Sequence, residues 1–260
     1  MSRKCVTVSL LFLSTSFFCQ AQKIVLHTNY EWFQYFNQFR FSKKLTLFSD
    51  VSIRSTDKFA ELSQFTFRTG IGYPVTSKLT AVTGFACFTT YAGNYSLGRI
   101  EFRPYQDVNL MQLLGKVSLS HRFRAEARYF KTISDGAIIA SGSSFNFRFR
   151  YRLFCAIPIA KLSVTNSSRR LLLNVGDEIF INAGKQITYN TFDNNRFILG
   201  STVELNPNLS FTLNYMYQYG HRNADGLYES SDIFAFVIAQ RVALKKFRNT
   251  SPQMKVNSDD

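Results

Sequence analysis

The residues of this sequence whose types and spacing could do chemistry are arginines that recur at every second position. In the segment FNFRFRYRLF, residues 145–154, Arg148, Arg150 and Arg152 alternate with aromatic and aliphatic residues. In an extended chain successive side chains point to opposite faces, so this segment has one cationic face and one apolar face. Because neighbouring cations repel one another, the pattern predicts acids on facing strands and a nonpolar environment on the aromatic side.

Carboxylates elsewhere in the chain fall on the same faces as the arginines. In VSLSHRFRAEARYF, residues 117–130, Glu126 shares its face with Arg122, Arg124 and Arg128. The guanidinium fork can bond a carboxylate with two parallel hydrogen bonds, which favours ion pairs between adjacent strands. These faces are predicted to line the lumen of a β-barrel. The proposed lumen-lining residues are Arg103, Arg122, Arg124, Glu126, Arg128, Arg148, Arg150, Arg152, Glu178, Arg196 and Glu204.

This arginine ladder has two interpretations. The cations and acids could interlock and fill a closed barrel, or the surplus cations could line a narrow pore that favours small anionic solutes. Ten to twelve strands give a bore that side chains nearly fill, so structural filling is the favoured interpretation. The sequence has no metal-ligand spacing, phosphate loop or nucleotide fingerprint, so no cofactor is expected.

The three histidines are the other candidates for chemistry. His27 precedes the predicted barrel, His121 alternates onto the apolar face, and His221 lies at the edge between a strand and a loop. A Ser–His–acid site on the barrel exterior needs a histidine and a serine at neighbouring outward positions, and His121 is the only candidate on this pattern. The alternative function is therefore a barrel enzyme that acts on lipid or lipopolysaccharide. Asp177 and Glu178 are adjacent and point to opposite faces, which argues against a pair of catalytic carboxylates.

Eleven segments with period-two alternation follow one another from about residue 28 to residue 244. Short turns alternate with longer polar links along the chain, which is typical of outer-membrane barrels. Single bacterial chains normally close with an even number of strands. The sequence therefore predicts an all-β transmembrane antiparallel barrel of about twelve strands, with ten as the alternative. The segment from Ile24 to Phe36 is expected to contain a further short strand or a lumenal lead-in.

The two ends of the chain differ from the strand region. Arg3 and Lys4 precede an apolar run from Val6 to Phe18, which predicts a signal peptide over residues 1–21 and a mature chain that starts at Gln22. The barrel is expected over residues 22–247, followed by a polar tail over residues 248–260. Within the expected mature chain, Cys87 and Cys155 fall on different strands and are predicted to be free thiols.

The formal charge of +14 suggests a nucleic acid or an anionic membrane as a partner. Because the alternation sends the arginines inward rather than onto an exposed patch, no nucleic-acid partner is expected. The expected partners are outer-membrane lipid, the barrel assembly machinery and, in the pore interpretation, small anionic solutes. A third interpretation is a soluble secreted β-protein that binds a partner.

Five blocks of the sequence carry a family resemblance. They are YFNQFRFSKKLTLFSDVSIRSTD, EFRPYQD, HRFRAEARY, FNFRFRYRL and GDEIFINAGKQITYNTFDNNRFILG. In this order they resemble the exported bacterial family described as domain of unknown function 2490, over most of residues 28–244. The resemblance implies an outer-membrane barrel of Gram-negative bacteria with no established activity. The polar segment after Phe247 differs from barrels that end on the aromatic residue of the last strand.

Overall fold

The computed structural model describes residues 23–92, 95–134, 137–139 and 143–243, and these residues form twelve β-strands. Eleven strands are long and one, β7, has two residues. Their bounds are β1 Ile24–Arg40, β2 Thr46–Thr56, β3 Glu61–Pro74, β4 Leu79–Ala92, β5 Ser96–Leu114, β6 Val117–Ser134, β7 Ala137–Ile138, β8 Ser144–Lys161, β9 Arg170–Ala183, β10 Phe192–Asn206, β11 Leu209–His221 and β12 Leu227–Ala243. Among the described residues there is no helix of the length and apolar character needed to cross a membrane.

The eleven long strands close into a barrel in which each strand pairs with the next one along the chain. All neighbours are antiparallel except β1 and β12, which run parallel and close the ring. An odd number of strands that alternate in direction leaves one pair pointing the same way, so a parallel seam is the geometric consequence. The register of this seam is continuous from Ile24 opposite Leu227 to Arg40 opposite Ala243.

The all-β barrel predicted from the sequence is confirmed. The parallel seam allows the ring to close with eleven strands, an odd number. The segment Ile24–Phe36 does not form a strand of its own, because it is continuous with the next predicted strand inside β1. The twelfth strand is β7, which among the described residues pairs with the end of β6 and takes no part in the ring.

The two ends of the barrel differ in their connections. We call the turn rim the end that carries the connections 75–78, 115–116 and 207–208, and the loop rim the end that carries 57–60, 184–191 and 222–226. A two-residue turn joins β5 to β6, where Gly115 has a φ of 60°, a left-handed conformation that glycine adopts freely. Because β1 and β12 are parallel, β1 begins at the loop rim and β12 ends at the turn rim.

The half of the barrel near the turn rim is filled by side chains. Two apolar clusters lie there, one around Phe154, Ile198 and Met216 and one around Val82 and Tyr105. Glycines on facing strands make room for the larger rings. A Cβ atom on Gly84 would lie 2.4 Å from the Tyr105 ring, and one on Gly176 would lie 2.7 Å from the Phe154 ring. Large and small residues thus alternate around the interior, as in other small barrels.

The outer face of the barrel carries exposed apolar side chains on all eleven long strands. One exposed large apolar residue from each strand illustrates this belt: Phe33, Ile53, Phe67, Phe85, Phe102, Phe123, Phe149, Ile179, Phe197, Leu213 and Phe234. Cys87 and Cys155, on the non-adjacent strands β4 and β8, are free and half-buried, as predicted. The expected signal peptide and the C-terminal tail lie outside the described residues.

Candidate functional site

The lumen-lining residues proposed from the sequence are all buried, with relative exposures between 0% for Glu178 and 9% for Arg148. Each stands on a long strand at a position that alternates with the exposed apolar face, as the period-two spacing requires. Three carboxylates, Glu101, Glu126 and Glu178, are the centres to which most of these arginines bind.

The carboxylate of Glu178 on β9 lies among arginines of three different strands. Its Oε1 accepts from Arg122 Nη2 at 2.7 Å and from Arg150 Nη2 at 2.8 Å, and its Oε2 lies 3.8 Å from Arg196 Nη1. Arg152 lies directly opposite Glu178 in the β8–β9 register. One buried acid thus offsets the charge of several cations.

Glu126 and Glu101 form the two other centres. Glu126 Oε1 lies 3.0 Å from Arg150 Nη1, and Arg150 therefore bridges Glu126 and Glu178. Glu101 accepts from Arg103 Nε at 2.6 Å and from Arg128 Nε at 2.5 Å. The three centres are joined because Arg103 also lies 3.8 Å from Glu126. The result is one continuous network of buried charges across β5, β6, β8, β9 and β10.

Aromatic rings cover several of the same guanidinium groups. The guanidinium carbon of Arg103 lies 3.6 Å from the centroid of Phe88, and that of Arg150 lies 4.4 Å from the centroid of Phe180. On the other side of the barrel, Arg54 lies 3.8 Å from the Trp32 ring. Such stacking stabilises a cation in a poorly solvated place without using an acid.

One of the proposed lumen-lining residues lies apart from this network. Glu204 is close to the turn rim, where it binds Arg170 of the neighbouring strand at 2.5 Å. The sequence analysis had grouped Glu204 with the acids of the arginine ladder. Glu204 is buried, and the β9–β10 register places it opposite Arg170, eight residues from Arg196 along β10.

Sequence reasoning missed several charged residues of the interior. Arg68 forms a bidentate pair with Asp50, and Asp193 binds Arg148 at 2.7 Å. Arg99 and Arg222 line the interior nearer the loop rim. The alternation in QFTFRTGIGY marks Arg68 as an inward residue, so that pattern could have found it. Asp193 lies at the start of β10, where the alternation has barely begun.

The loop-rim half of the interior contains two connected cavities. One of about 530 Å³ is lined by residues of the loop-rim connections, such as Ile187 and Asn223, and one of about 320 Å³ lies deeper against Trp32 and Phe180. Seven residues line both cavities: Arg99, Arg128, Arg148, Asn194, Gln218, Arg222 and Glu229. We refer to the two cavities together as the loop-rim chamber. Four of its seven shared residues are arginines and one is an acid.

The interior charge is unbalanced. Among the residues that the structure describes, nine buried arginines face six buried carboxylates, a formal surplus of three positive charges. The arginines are Arg68, Arg103, Arg122, Arg124, Arg128, Arg148, Arg150, Arg152 and Arg196, and the acids are Asp50, Glu101, Asp107, Glu126, Glu178 and Glu204. Arginines therefore outnumber carboxylates among the buried residues of the barrel.

The histidines occupy positions that only partly match the sequence analysis. His121 points outward from β6 and its Nδ1 lies 2.9 Å from the hydroxyl of Tyr151. His221 is the last residue of β11, at the edge predicted for it. His27 does not precede the barrel, because it lies in β1 directly opposite Ser230 of β12. Asp177 and Glu178 point to opposite faces, as predicted, with Asp177 exposed and bound to Asn195.

The model of a protein family described as "Protein of unknown function (DUF2490)" matches residues 30–229, which is most of the barrel. The chain belongs to this family. The match runs from the middle of β1 to the beginning of β12 and includes every centre of the arginine network. No curated protein matches the chain. Membership of the family therefore agrees with the fold and leaves the chemistry to be argued from the side chains.

Proposed function

We propose that the protein is an outer-membrane β-barrel of a Gram-negative bacterium, exported through an N-terminal signal peptide, whose loop-rim chamber binds small anionic solutes. The observation that carries the proposal is the chamber itself, a polar cavity in which arginines outnumber acids. Phosphate and carboxylate groups are the ligands that arginine forks bind best.

The apolar belt supports the membrane location. Phe234, Leu213 and Phe123 on three different strands are more than half exposed, and comparable residues continue around the barrel. Soluble monomers rarely expose contiguous apolar surface on this scale. A lipid bilayer covers such a belt, and a closed barrel satisfies its backbone hydrogen bonds there.

The packing near the turn rim favours a binding chamber over an open pore. Val237, Ile198 and Met216 have no exposed surface, and Asn214 beside them has none either. These buried side chains lie on the strands between the chamber and the turn rim. The arginine network thus has two roles in this proposal: its paired members hold the strands together, and its surplus charge attracts the anion.

Anion-dependent stability tests this function. The refolded protein in detergent is heated in sodium phosphate or in sodium chloride of equal ionic strength, and the midpoint of its heat-dependent change in gel mobility is measured. Phosphate should raise the midpoint, because a ligand that binds only the folded state stabilises it.

Two variants that remove the same charge provide the comparison. Arg99→Gln removes a cation that lines both cavities, and Arg169→Gln removes an exposed cation in a turn-rim connection. The phosphate effect should fall strongly in Arg99→Gln and persist in Arg169→Gln. Equal effects in the wild type and both variants would contradict binding in the chamber.

A further inference from the structure

Three polar side chains meet on the outer face of the barrel at the seam between β1 and β12. The Oγ of Ser230 lies 3.0 Å from Nδ1 of His27, and Nε2 of the same imidazole lies 3.3 Å from Oδ2 of Asp232. Ser230 faces His27 directly in the parallel register, and Asp232 follows two positions later on the same face of β12. A serine, a histidine and an acid are thus joined in one chain of polar contacts.

The acceptors around His27 favour the tautomer that a hydrolase needs. Tyr215 donates its hydroxyl hydrogen to Oδ1 of Asp232 at 2.5 Å, which orients the carboxylate. Nε2 of His27 faces two acceptors, Asp232 Oδ2 and the Asn29 side-chain oxygen at 3.2 Å. A neutral His27 with its hydrogen on Nε2 satisfies both acceptors and leaves Nδ1 with a lone pair directed at Ser230.

We propose that Ser230 and His27, oriented by Asp232, form a hydrolase site on the outer face of the barrel that cleaves acyl esters of membrane lipids. The roles are those of a Ser–His–acid triad. In the most familiar triad Nε2 of the histidine faces the serine and Nδ1 faces the acid, whereas here Nδ1 faces Ser230 and Nε2 faces Asp232. The triad logic depends on geometry and on the role of each group, and either nitrogen can serve as the base when the other is held by an acid.

The position of the site on the barrel indicates the substrate. His27 is three residues from the start of β1 at the loop rim, and Tyr219 and Tyr228 stack beside it with ring centroids 5.4 Å apart. Tyrosines are typical of the boundary between lipid chains and water. The ester bonds of lipids lie at this boundary, between the acyl chains and the headgroups. Lys23, over the Tyr228 ring, presents a cation to an anionic headgroup.

The reaction that this arrangement supports is ester hydrolysis in two steps. Ser230 Oγ attacks the carbonyl carbon of the ester while its proton passes to Nδ1 of His27. The bond to the alcohol oxygen then breaks, and the alcohol leaves with the proton from His27. In the second step water attacks the acyl-serine, His27 takes the proton from water, and the acid leaves as Ser230 recovers its hydrogen. The net reaction is ester plus water to acid plus alcohol.

A substrate reaches the Ser230 hydroxyl from the side of the exposed His27 imidazole. The side chain of His27 is 50% exposed, whereas Ser230 as a whole residue is 8% exposed. Backbone N–H groups of paired strands are used in the ladder, so side chains must stabilise the charge that develops on the carbonyl oxygen. The amide of Asn29 and the ammonium group of Lys23 are donors on this part of the outer face.

The sequence analysis missed this site for an identifiable reason. It assigned His27 to a segment before the barrel and left His121 as the exterior candidate. The contacts of His121 in the structure are with Tyr151, which is neither a serine nor an acid. Only the parallel pairing of β1 with β12 brings residues 27 and 230 together.

A fluorophosphonate probe and an ester assay test the proposal together. The refolded protein, checked for a heat-dependent mobility shift, is incubated with the probe and analysed for the modified residue by mass spectrometry. In parallel, release of fatty acid is measured from phospholipid and lipopolysaccharide in mixed micelles, and from a soluble short-chain ester. We expect the probe on Ser230 and release of fatty acid from at least one lipid substrate.

The variants separate the triad from general effects on the barrel. Ser230→Ala and His27→Ala should lower the rate by about a thousandfold or more. Ser201→Ala, at an outward serine on β10, and His121→Ala, at an outward histidine on β6, should keep the wild-type rate. For the positioning residue, Asp232→Asn should lower kcat by about a thousandfold with an unchanged KM, because the imidazole loses the group that holds its tautomer.

Each outcome decides the proposal. No labelling and no release from a protein that shows the mobility shift would overturn it, as would release that survives in Ser230→Ala. Cleavage of the soluble ester alone would overturn the assignment of lipid as the substrate. The lipid substrate rests on the proposed membrane location, but the site does not depend on the loop-rim chamber. The assay with the soluble ester depends neither on the membrane location nor on the chamber. A failed anion experiment therefore leaves this test intact.

Discussion

At the scale of single residues, the cationic face of β8 is stabilised by acids from other strands. Arg148 binds Asp193, Arg150 binds both Glu126 and Glu178, and Arg152 lies opposite Glu178. A buried ion pair is worth little compared with an apolar pair of the same size, but the removal of one partner leaves an uncompensated charge. The loss of a buried acid should therefore lower the free energy of unfolding much more than the loss of an outward charge.

Glu178→Gln tests this expectation. The substitution keeps the size of the side chain and removes the charge that Arg122, Arg150 and Arg196 share. The free energy of unfolding should fall by roughly 3–5 kcal/mol, the cost of a broken buried pair. The measurement is urea unfolding of the refolded protein in detergent micelles.

Asp177→Asn is the matched control, because the neighbouring acid is exposed on the opposite face. It should change the free energy of unfolding by less than about 1 kcal/mol, as surface charges do. Equal losses of unfolding free energy in the two variants would show that the interior network contributes no more to stability than an exposed charge does.

The sequence predicts the face of most charged residues but not their partners. The alternation assigned Glu126, Glu178 and Glu204 to the inner face, and all three are buried. It also grouped them as one ladder, yet Glu204 binds Arg170 near the turn rim. Partners depend on register, and register depends on turns and bulges such as the one between Glu204 and Asn206.

At the scale of the strands, the fit of inward glycines to aromatic rings sets the packing near the turn rim. Gly84 and Gly70 leave the space that Tyr105 occupies, and the hydroxyl of Tyr105 reaches the carbonyl oxygen of Thr69 at 3.3 Å. A side chain at either glycine must move the ring or the strand. These glycines thus matter because they leave room for the Tyr105 ring on the inner face, and not because they adopt an unusual backbone conformation.

Gly84→Ala should destabilise the barrel by about 1–3 kcal/mol, as overpacking of a filled interior does. Gly98→Ala on β5 is the control, because a Cβ atom there would meet no neighbour closer than 3.8 Å. The measurement is the midpoint of heat-dependent gel mobility. A shift in Gly98→Ala as large as that in Gly84→Ala would refute the role assigned to the Tyr105 ring.

The parallel seam is the feature of the strands that the sequence predicts least well. Alternation reports that β1 and β12 are strands and which side faces inward, but it carries no information on the direction of their partners. The expectation of about twelve strands followed from the rule that barrels close in even numbers. The continuous register of seventeen residue pairs from Ile24 to Arg40 shows how an odd number closes instead.

A disulfide across the seam tests its direction and register. Tyr35 and Ile238 are partners on the outer face in the parallel arrangement. Tyr35→Cys with Ile238→Cys, in a background without Cys87 and Cys155, should form a disulfide on oxidation because partner Cα atoms lie within its reach. Tyr35→Cys with Phe234→Cys is the control, since four residues along a strand add about 13 Å. A disulfide in the control alone would mean that the seam has another register.

At the scale of the whole molecule, two features determine what the barrel can do. The outer belt gives it an exposed apolar surface on every long strand, and the interior combines apolar clusters with an arginine-lined chamber. Both follow from one rule of alternation applied around a closed ring. The sequence predicted the ring and the two faces. The division of the interior along the barrel axis depends on how side chains from opposite walls meet, which alternation does not encode.

The measurement that tests this account most directly is ion conductance of the refolded protein in a planar bilayer under a salt gradient, with a wide porin as the positive control. Because Ile198, Met216 and Val237 beyond the chamber have no exposed surface, we expect no discrete conductance steps from protein that shows the heat-dependent mobility shift. Discrete anion-selective steps, reversed toward cations in Arg148→Glu with Arg150→Glu, would contradict a closed chamber. They would show that the arginine ladder lines an open pore.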